Sequence, residues 1–256
     1  MNQHFNLSRF GRLLRKHTAE HLRSYLMSTA VLAGGLIVVL CGLTYITHRP
    51  LNIQVQTVLY MFLLLAAGAV FTSSAFAALG NPRQAAPALM LPASHLEKYL
   101  VVWLYTVPVF LVVFTAAFLA VDALALQLLD GKQGELLDFT KDLSLPLKAL
   151  LSYLLIHAVA LWSALYFNRL HAVKMAFALF GVAGLVVVIN YQVLKRLIPA
   201  DLSPTLPFSS VSFGAGQQWF RMELPESQEA LLPLLPLALA VLLCLGAYSR
   251  LTEKQL

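Results

Sequence analysis

The chain is poor in charge and in cysteine for its length. Only 12% of its 256 residues are Asp, Glu, Lys or Arg, about half the share of a soluble domain, whereas 59% are apolar. A water-soluble domain, with its charged surface, is therefore excluded. The two cysteines, Cys41 and Cys244, lie in apolar stretches, outside any CxxC or Cys/His cluster. That excludes a disulfide framework and a cysteine zinc site. Their offset of roughly 15 Å along the spans described below argues against a mutual disulfide. Also missing is a GxxxxGK[ST] phosphate loop, since Gly131-Lys132 lacks both the preceding glycine and the following hydroxyl residue. There is no HExxH and no GxSxG. The only acidic groups expected near lipid are Asp122 and the interfacial Glu97, so paired ionisable groups for intramembrane hydrolysis are absent. No catalytic, cofactor or metal site is expected.

What is present is length of apolar sequence. About 20 apolar residues cross the roughly 30 Å hydrocarbon core of a bilayer, and six segments reach that length: Tyr25–Ile46, Thr57–Leu79, Tyr99–Leu124, Pro146–Phe167, Ala172–Leu194 and Ala230–Ser249. The expected fold is all-α, a polytopic membrane bundle of six transmembrane helices forming one membrane domain, residues 25–256. The first apolar stretch follows some two dozen polar and basic residues and is too long for a signal-peptide core. Eleven Lys and Arg fall on the side holding both termini and seven on the other, so both ends are expected in the cytoplasm. The net charge of +6 clusters beside apolar stretches. It therefore fits anionic headgroups of the lipid bilayer rather than nucleic acid.

Residues 1–24 read as a cytoplasmic segment with an amphipathic helix. Within Asn6–His17, Leu7, Phe10, Leu13 and Leu14 share an arc of about 120° on a helical wheel, opposite Arg9, Arg12, Arg15 and Lys16. Such an amphipathic helix lies at the membrane interface with its basic face toward headgroups; the alternative is a soluble basic tail. After the second span come Asn81, Pro82, Pro87 and Pro92, all helix punctuators. Ser94-His95-Leu96-Glu97 then fits a capping box. The third helix is thus expected to start in the cytoplasm, with Leu96–Leu100 placed to touch a partner. Of the outward segments, Ala125–Leu145 reads most simply as a solvated linker. Residues 195–229 carry four prolines together with Phe208, Phe213, Trp219 and Phe220, too aromatic for a disordered linker, and are expected to fold back on the bundle.

Polar residues inside spans ask for a function because lipid cannot satisfy them. His157 falls mid-span, and it reads as a histidine bonded to a neighbouring helix, a substrate-path residue or a proton relay. Asn190 lies toward the outer end of its span as a second substrate-path candidate, and Thr72, Ser73 and Ser74 lie in the second. Small residues gather at Ala30, Ala33, Gly34 and Gly35, at Ala66–Ala69, and at Gly181 and Gly184. They permit close helix approach within one subunit or between two.

Two stretches, Leu91-Pro92-Ala93-Ser94-His95-Leu96-Glu97-Lys98 and Tyr248-Ser249-Arg250-Leu251-Thr252-Glu253-Lys254-Gln255-Leu256, together with the topology, resemble the membrane subunit of a type-2 ABC exporter. The likeness is to the short six-span permeases of Bacteroidetes-like bacteria. The outer segment departs from that pattern in being richer in proline and aromatics. The resemblance implies a permease subunit in the bacterial cytoplasmic (inner) membrane, working as a homodimer or heterodimer with a separate ABC ATPase subunit that binds the ATP. It also implies that the amphipathic helix of residues 1–24 is an elbow, and that Leu91, Pro92, Ser94, Glu97 and Lys98 form the contact with that ATPase. The competing expectations are a non-transporting membrane scaffold or sensor, binding an extracytoplasmic ligand through residues 195–229, and, last, an intramembrane enzyme.

Overall fold

The computed structural model describes residues 6–80, 94–127, 135–139, 144–166, 171–198, 201–202, 210–215, 218–222, 225, 232 and 234–253. The fold is mostly helical. Helix α1 is Leu7–Thr47 and α2 is Ile53–Gly80; α3, His95–Leu104, runs through a π-helical turn, Tyr105–Val109, into α4, Phe110–Gln127. Helices α5, Ser144–Tyr166, and α6, His171–Leu197, precede three short strands, and α7 is Leu234–Glu253. Among the described residues, five helical stretches are long and apolar enough to cross a membrane, namely Leu7–Thr47, Ile53–Ala75, Leu96–Gln127, Ser144–Tyr166 and Ala176–Leu197. Leu234–Arg250 is apolar but shorter. This is compatible with a multi-pass membrane protein. We call the end where α1 and α3 begin proximal and the end of the α1–α2 connection distal.

The exterior accounts for the composition. On α6, Phe177 is 77% and Phe180 80% exposed, and Val38 on α1, Phe62 on α2 and Val112 on α4 are also exposed. Apolar surface on this scale is costly in water and stabilising against hydrocarbon. Helix α5 occupies the centre, packed against α2, α6 and α7, while α1 rests on α4 and α3. Tyr153, Leu161 and Leu165 of α5 are fully buried. Tyr153 shares one buried cluster with Leu36 and Leu40 of α1, Tyr60 and Leu64 of α2, and Phe110, Phe114 and Phe118 of α4, and Leu161 and Leu165 belong to another.

Three features differ from the reading of the sequence. Helix α1 continues without a break from Leu7 through the amphipathic stretch into the first span. Its first turns run beside α3, as contacts from Asn6 to Glu97 and from Thr18 to Tyr105 show. The segment Ala125–Leu145 is not simply a solvated linker: Leu137 is 4% exposed and the Phe139 ring packs on Tyr60, because two apolar side chains find a bundle end to cover. The third is a three-stranded antiparallel sheet in the 195–229 segment, of β1 (Asp201–Leu202), β2 (Val211–Ala215) and β3 (Gln218–Met222). In it Phe213 and Phe220 are paired, with ring centroids 5.8 Å apart. Cys41 and Cys244 are both free.

Close approach of α2 to α5 depends on Gly68, where a Cβ would run into the Tyr153 ring and crowd Phe110. Gly34 and Gly181 have open space at the same position. Gly68→Ala should lower stability by about 1–3 kcal/mol through overpacking. Gly34→Ala and Gly181→Ala should be neutral or slightly stabilising, since alanine is the better helix former. Unfolding of the purified variants in mixed micelles checks the contrast.

Candidate functional site

At the proximal end the capping box is present as expected. Ser94 Oγ accepts the Glu97 amide at 3.2 Å and Glu97 Oε2 accepts the Ser94 amide at 3.0 Å. The other carboxylate oxygen, Oε1, accepts the backbone amide of Asn6, the N-cap of α1, at 2.8 Å. It also lies 3.6 Å from an Arg9 guanidinium nitrogen. Asn6 Oδ1 in turn accepts the amides of Ser8 and Arg9. One carboxylate thus joins the starts of two helices, and Glu97 is 0% exposed.

That arrangement sorts the residues anticipated at this end. Leu91 and Pro92 lie outside the described residues. Ser94 is half-buried, Glu97 and Lys98 are buried, and Leu96, at 41% exposure, is the large apolar side chain turned outward at the start of α3. On α1, Arg12, Arg15 and Lys16 are exposed and Phe10, Leu13 and Leu14 half-buried, whereas Leu7, expected on the apolar face, is 74% exposed. Arg9 is half-buried and turned to Glu97.

A lateral cleft of about 690 Å³ opens between α1 and α2. Thr18, Tyr25 and Leu32 line it from α1, Ala66, Ala67 and Val70 from α2, and Tyr105, Val109 and Val113 from the π turn and α4. Its size is that of a small-molecule site. Pro108 lies inside the π turn. Having no amide to donate, it interrupts the helical ladder, and the chain widens there. Both Tyr105 and Val109 of this turn face the cleft. The walls are largely apolar, with Ser28, Thr29 and Ser74 among them, and the hydrogen-bonded aromatic groups stand at the proximal mouth. There the Thr18 and Tyr105 hydroxyls are 2.5 Å apart, the Tyr25 hydroxyl is 2.7 Å from His17 Nε2, and the Tyr25 and Tyr105 rings stack at 5.0 Å. The His17 and His21 rings stack beside them at 4.3 Å.

His157 does not line the cleft. It is 1% exposed, its Nδ1 is 3.0 Å from the Thr72 hydroxyl on α2, and its ring stacks on Tyr153. The Tyr153 hydroxyl donates to the Thr106 carbonyl within the π turn. Asn190 sits half-exposed on α6, far along the chain from either group. The aromatic mouth was not anticipated from sequence. Pro108 in mid-span was the available signal, since a proline there has to be accommodated by a local change of helix type.

Glu97→Gln should lower stability by about 1–3 kcal/mol. A carboxamide keeps one acceptor but turns an N–H toward an amide that needs an oxygen. The loss should appear in chemical unfolding, together with faster amide exchange at Ser8 and Arg9; exchange unchanged at both would show that the clamp does not hold α1.

No protein-family model, no curated protein and no solved structure significantly matches the chain.

Proposed function

We propose that this chain is a six-span permease subunit of an ABC exporter. Helix α7 forms the sixth crossing, both termini lie on the cytoplasmic side, and a separate ATPase subunit supplies the energy. The observation that carries this reading is the lateral cleft, with largely apolar walls, polar aromatic groups at one mouth and access from the side where lipid would lie. Such a site suits an amphiphile, its tail against Leu32, Ala67 and Val70 and its head beside Thr18, Tyr25 and Tyr105. The exposed basic face of Arg12, Arg15 and Lys16 favours anionic headgroups of the inner leaflet. A rigid, capped start of α3 next to the cleft suits coupling, because a push on Leu96 reaches α1 through the Glu97 carboxylate. Glu97 and Lys98 are buried, so Leu96 is the better point of contact with the ATPase.

A second reading, a membrane scaffold or sensor, draws on the sheet of residues 201–222, whose Phe220 and Met222 are exposed. The two separate by experiment. Purified from native membranes with its ATPase and reconstituted, the permease should move a fluorescent amphiphile at the expense of ATP. Leu96→Glu should reduce transport about tenfold, a barrier change of only about 1.4 kcal/mol, while ATP hydrolysis continues. Ala67→Trp, which puts an indole into the cleft, should block transport with the fold retained. Transport unchanged in both variants removes the permease reading, and failure of any ATPase to copurify shifts the case to the sensor.

A further inference from the structure

At the distal end three helices each carry a buried polar side chain one turn beyond a shared apolar core. Leu40 of α1, Tyr60 of α2 and Phe118 of α4 belong to one buried cluster, and the Tyr60 and Phe118 rings meet edge to face at 5.2 Å. Thr44 follows Leu40 by one helical turn, Gln56 precedes Tyr60 by one, and Asp122 follows Phe118 by one. Residues four apart share a helix face. Because α1 and α4 run toward the distal end and α2 runs from it, all three side chains stand one turn beyond the same core. The 135–137 strip ties two of them together. Gln56 Nε2 donates to the Glu135 carbonyl at 3.0 Å, and the Asp122 carboxylate accepts the Leu137 amide two residues later.

Thr44, Gln56 and Asp122 are 1%, 0% and 1% exposed. Each nevertheless leaves an oxygen without a hydrogen-bond partner: Thr44 Oγ1, Gln56 Oε1 and Asp122 Oδ2. The orientation of Gln56 is not arbitrary. Its amide nitrogen donates to two carbonyls, of Leu51 and Glu135, and a carbonyl only accepts, so Oε1 has to be the unpartnered atom. Among the described residues no ion pair reaches Asp122, and a buried carboxylate without a counter-charge is strongly disfavoured. A hydroxyl, an amide oxygen and a carboxylate are the donors that hard cations take. With one carboxylate, and no convergence of three His, Cys, Asp or Glu among the described residues, the charge balances a single positive charge.

We propose that Thr44 Oγ1, Gln56 Oε1 and Asp122 Oδ2 form a binding site for one monovalent cation of the sodium class at the distal meeting of α1, α2 and α4. The site stands apart from the cleft and holds whether or not the chain is a permease. It is tested on the purified full chain in detergent at neutral pH, by thermal unfolding in sodium chloride against choline chloride of equal ionic strength and by equilibrium binding of radioactive sodium. Sodium at about a hundredfold over its dissociation constant should raise the unfolding midpoint by about 5 °C, with about one ion bound per chain. Asp122→Asn should abolish both effects, and Thr44→Val, which keeps the volume, should weaken sodium binding about tenfold. Should Asp122→Asn not fold, the affinity of Thr44→Val decides. Equal midpoints in sodium and choline with no bound ion overturn the site, as does unchanged affinity in the variants. Stabilisation of the wild type by acid in place of sodium also overturns it, because the carboxyl then carries a proton.

Discussion

The buried carboxylate of Glu97 determines how α1 is seated on the rest of the chain. Every helix start leaves amides without intrahelical partners and a partial positive charge. Here two starts share one anion, Oε2 taking the Ser94 amide of the α3 cap and Oε1 the Asn6 amide of the α1 cap. Arg9 adds its charge beside Oε1. A carboxylate with no solvent exposure is tolerable only with such a set of donors. The same requirement makes the two helices start at one level and run side by side.

The cleft is a consequence of that registration. Held at Asn6 and again at Thr18, α1 follows α3 and the π turn, while α2 packs on α5. The two helices therefore part over residues 18–32 and 66–74, and the widened turn around Pro108 floors the gap. At the distal end the gap closes where Leu36 and Leu40 meet the aromatic cluster of Tyr60, Phe114 and Phe118. Polar contacts frame the opening at one end and ring packing at the other, and between them the lining is largely apolar, with Ser28 and Thr29 its polar members on α1.

How much of this the amino-acid order discloses depends on the range of the interaction. Apolar length marks the long helices to within a few residues at every end except the start of α1, which lies at Leu7 rather than Tyr25, because burying a backbone in hydrocarbon leaves helix as the solution for a single segment. The Ser94 to Glu97 box is local, spanning three residues, and it is present atom for atom. Its second partner, Asn6, lies 91 residues away, and no local pattern announces a carboxylate that caps two helices. The union of the amphipathic stretch with the first span was hidden for a similar reason: nothing between His17 and Tyr25 breaks a helix, yet an elbow and a straight helix carry the same residues. The small sheet was obscured by the prolines around it. Its strands alternate only weakly, and they become evident through pairs such as Phe213 with Phe220. His157 was legible as a buried group needing a partner; that the partner is Thr72 required the packing of α5 on α2.

The run Ala66-Ala67-Gly68-Ala69 shows how one short sequence serves two surfaces. Successive helical residues turn by about 100°, so Ala66 and Ala67 line the cleft while Gly68 and Ala69 are buried against Tyr153 and Ala160 of α5. Larger side chains on the first pair would fill the cleft, and on the second would part the helices. One turn beyond Gly68, Thr72 bonds His157 of α5, and Tyr153 of α5 bonds the Thr106 carbonyl in the π turn. Helix α2 is thus the wall of the cleft on one side and fastened to α5 on the other, and the floor of the cleft is fastened to α5 as well. Interiors packed at this density move by whole elements rather than by local yielding. A guest that displaced α2 would therefore have to carry α5 with it, and through α5 the helix α7 packed behind it.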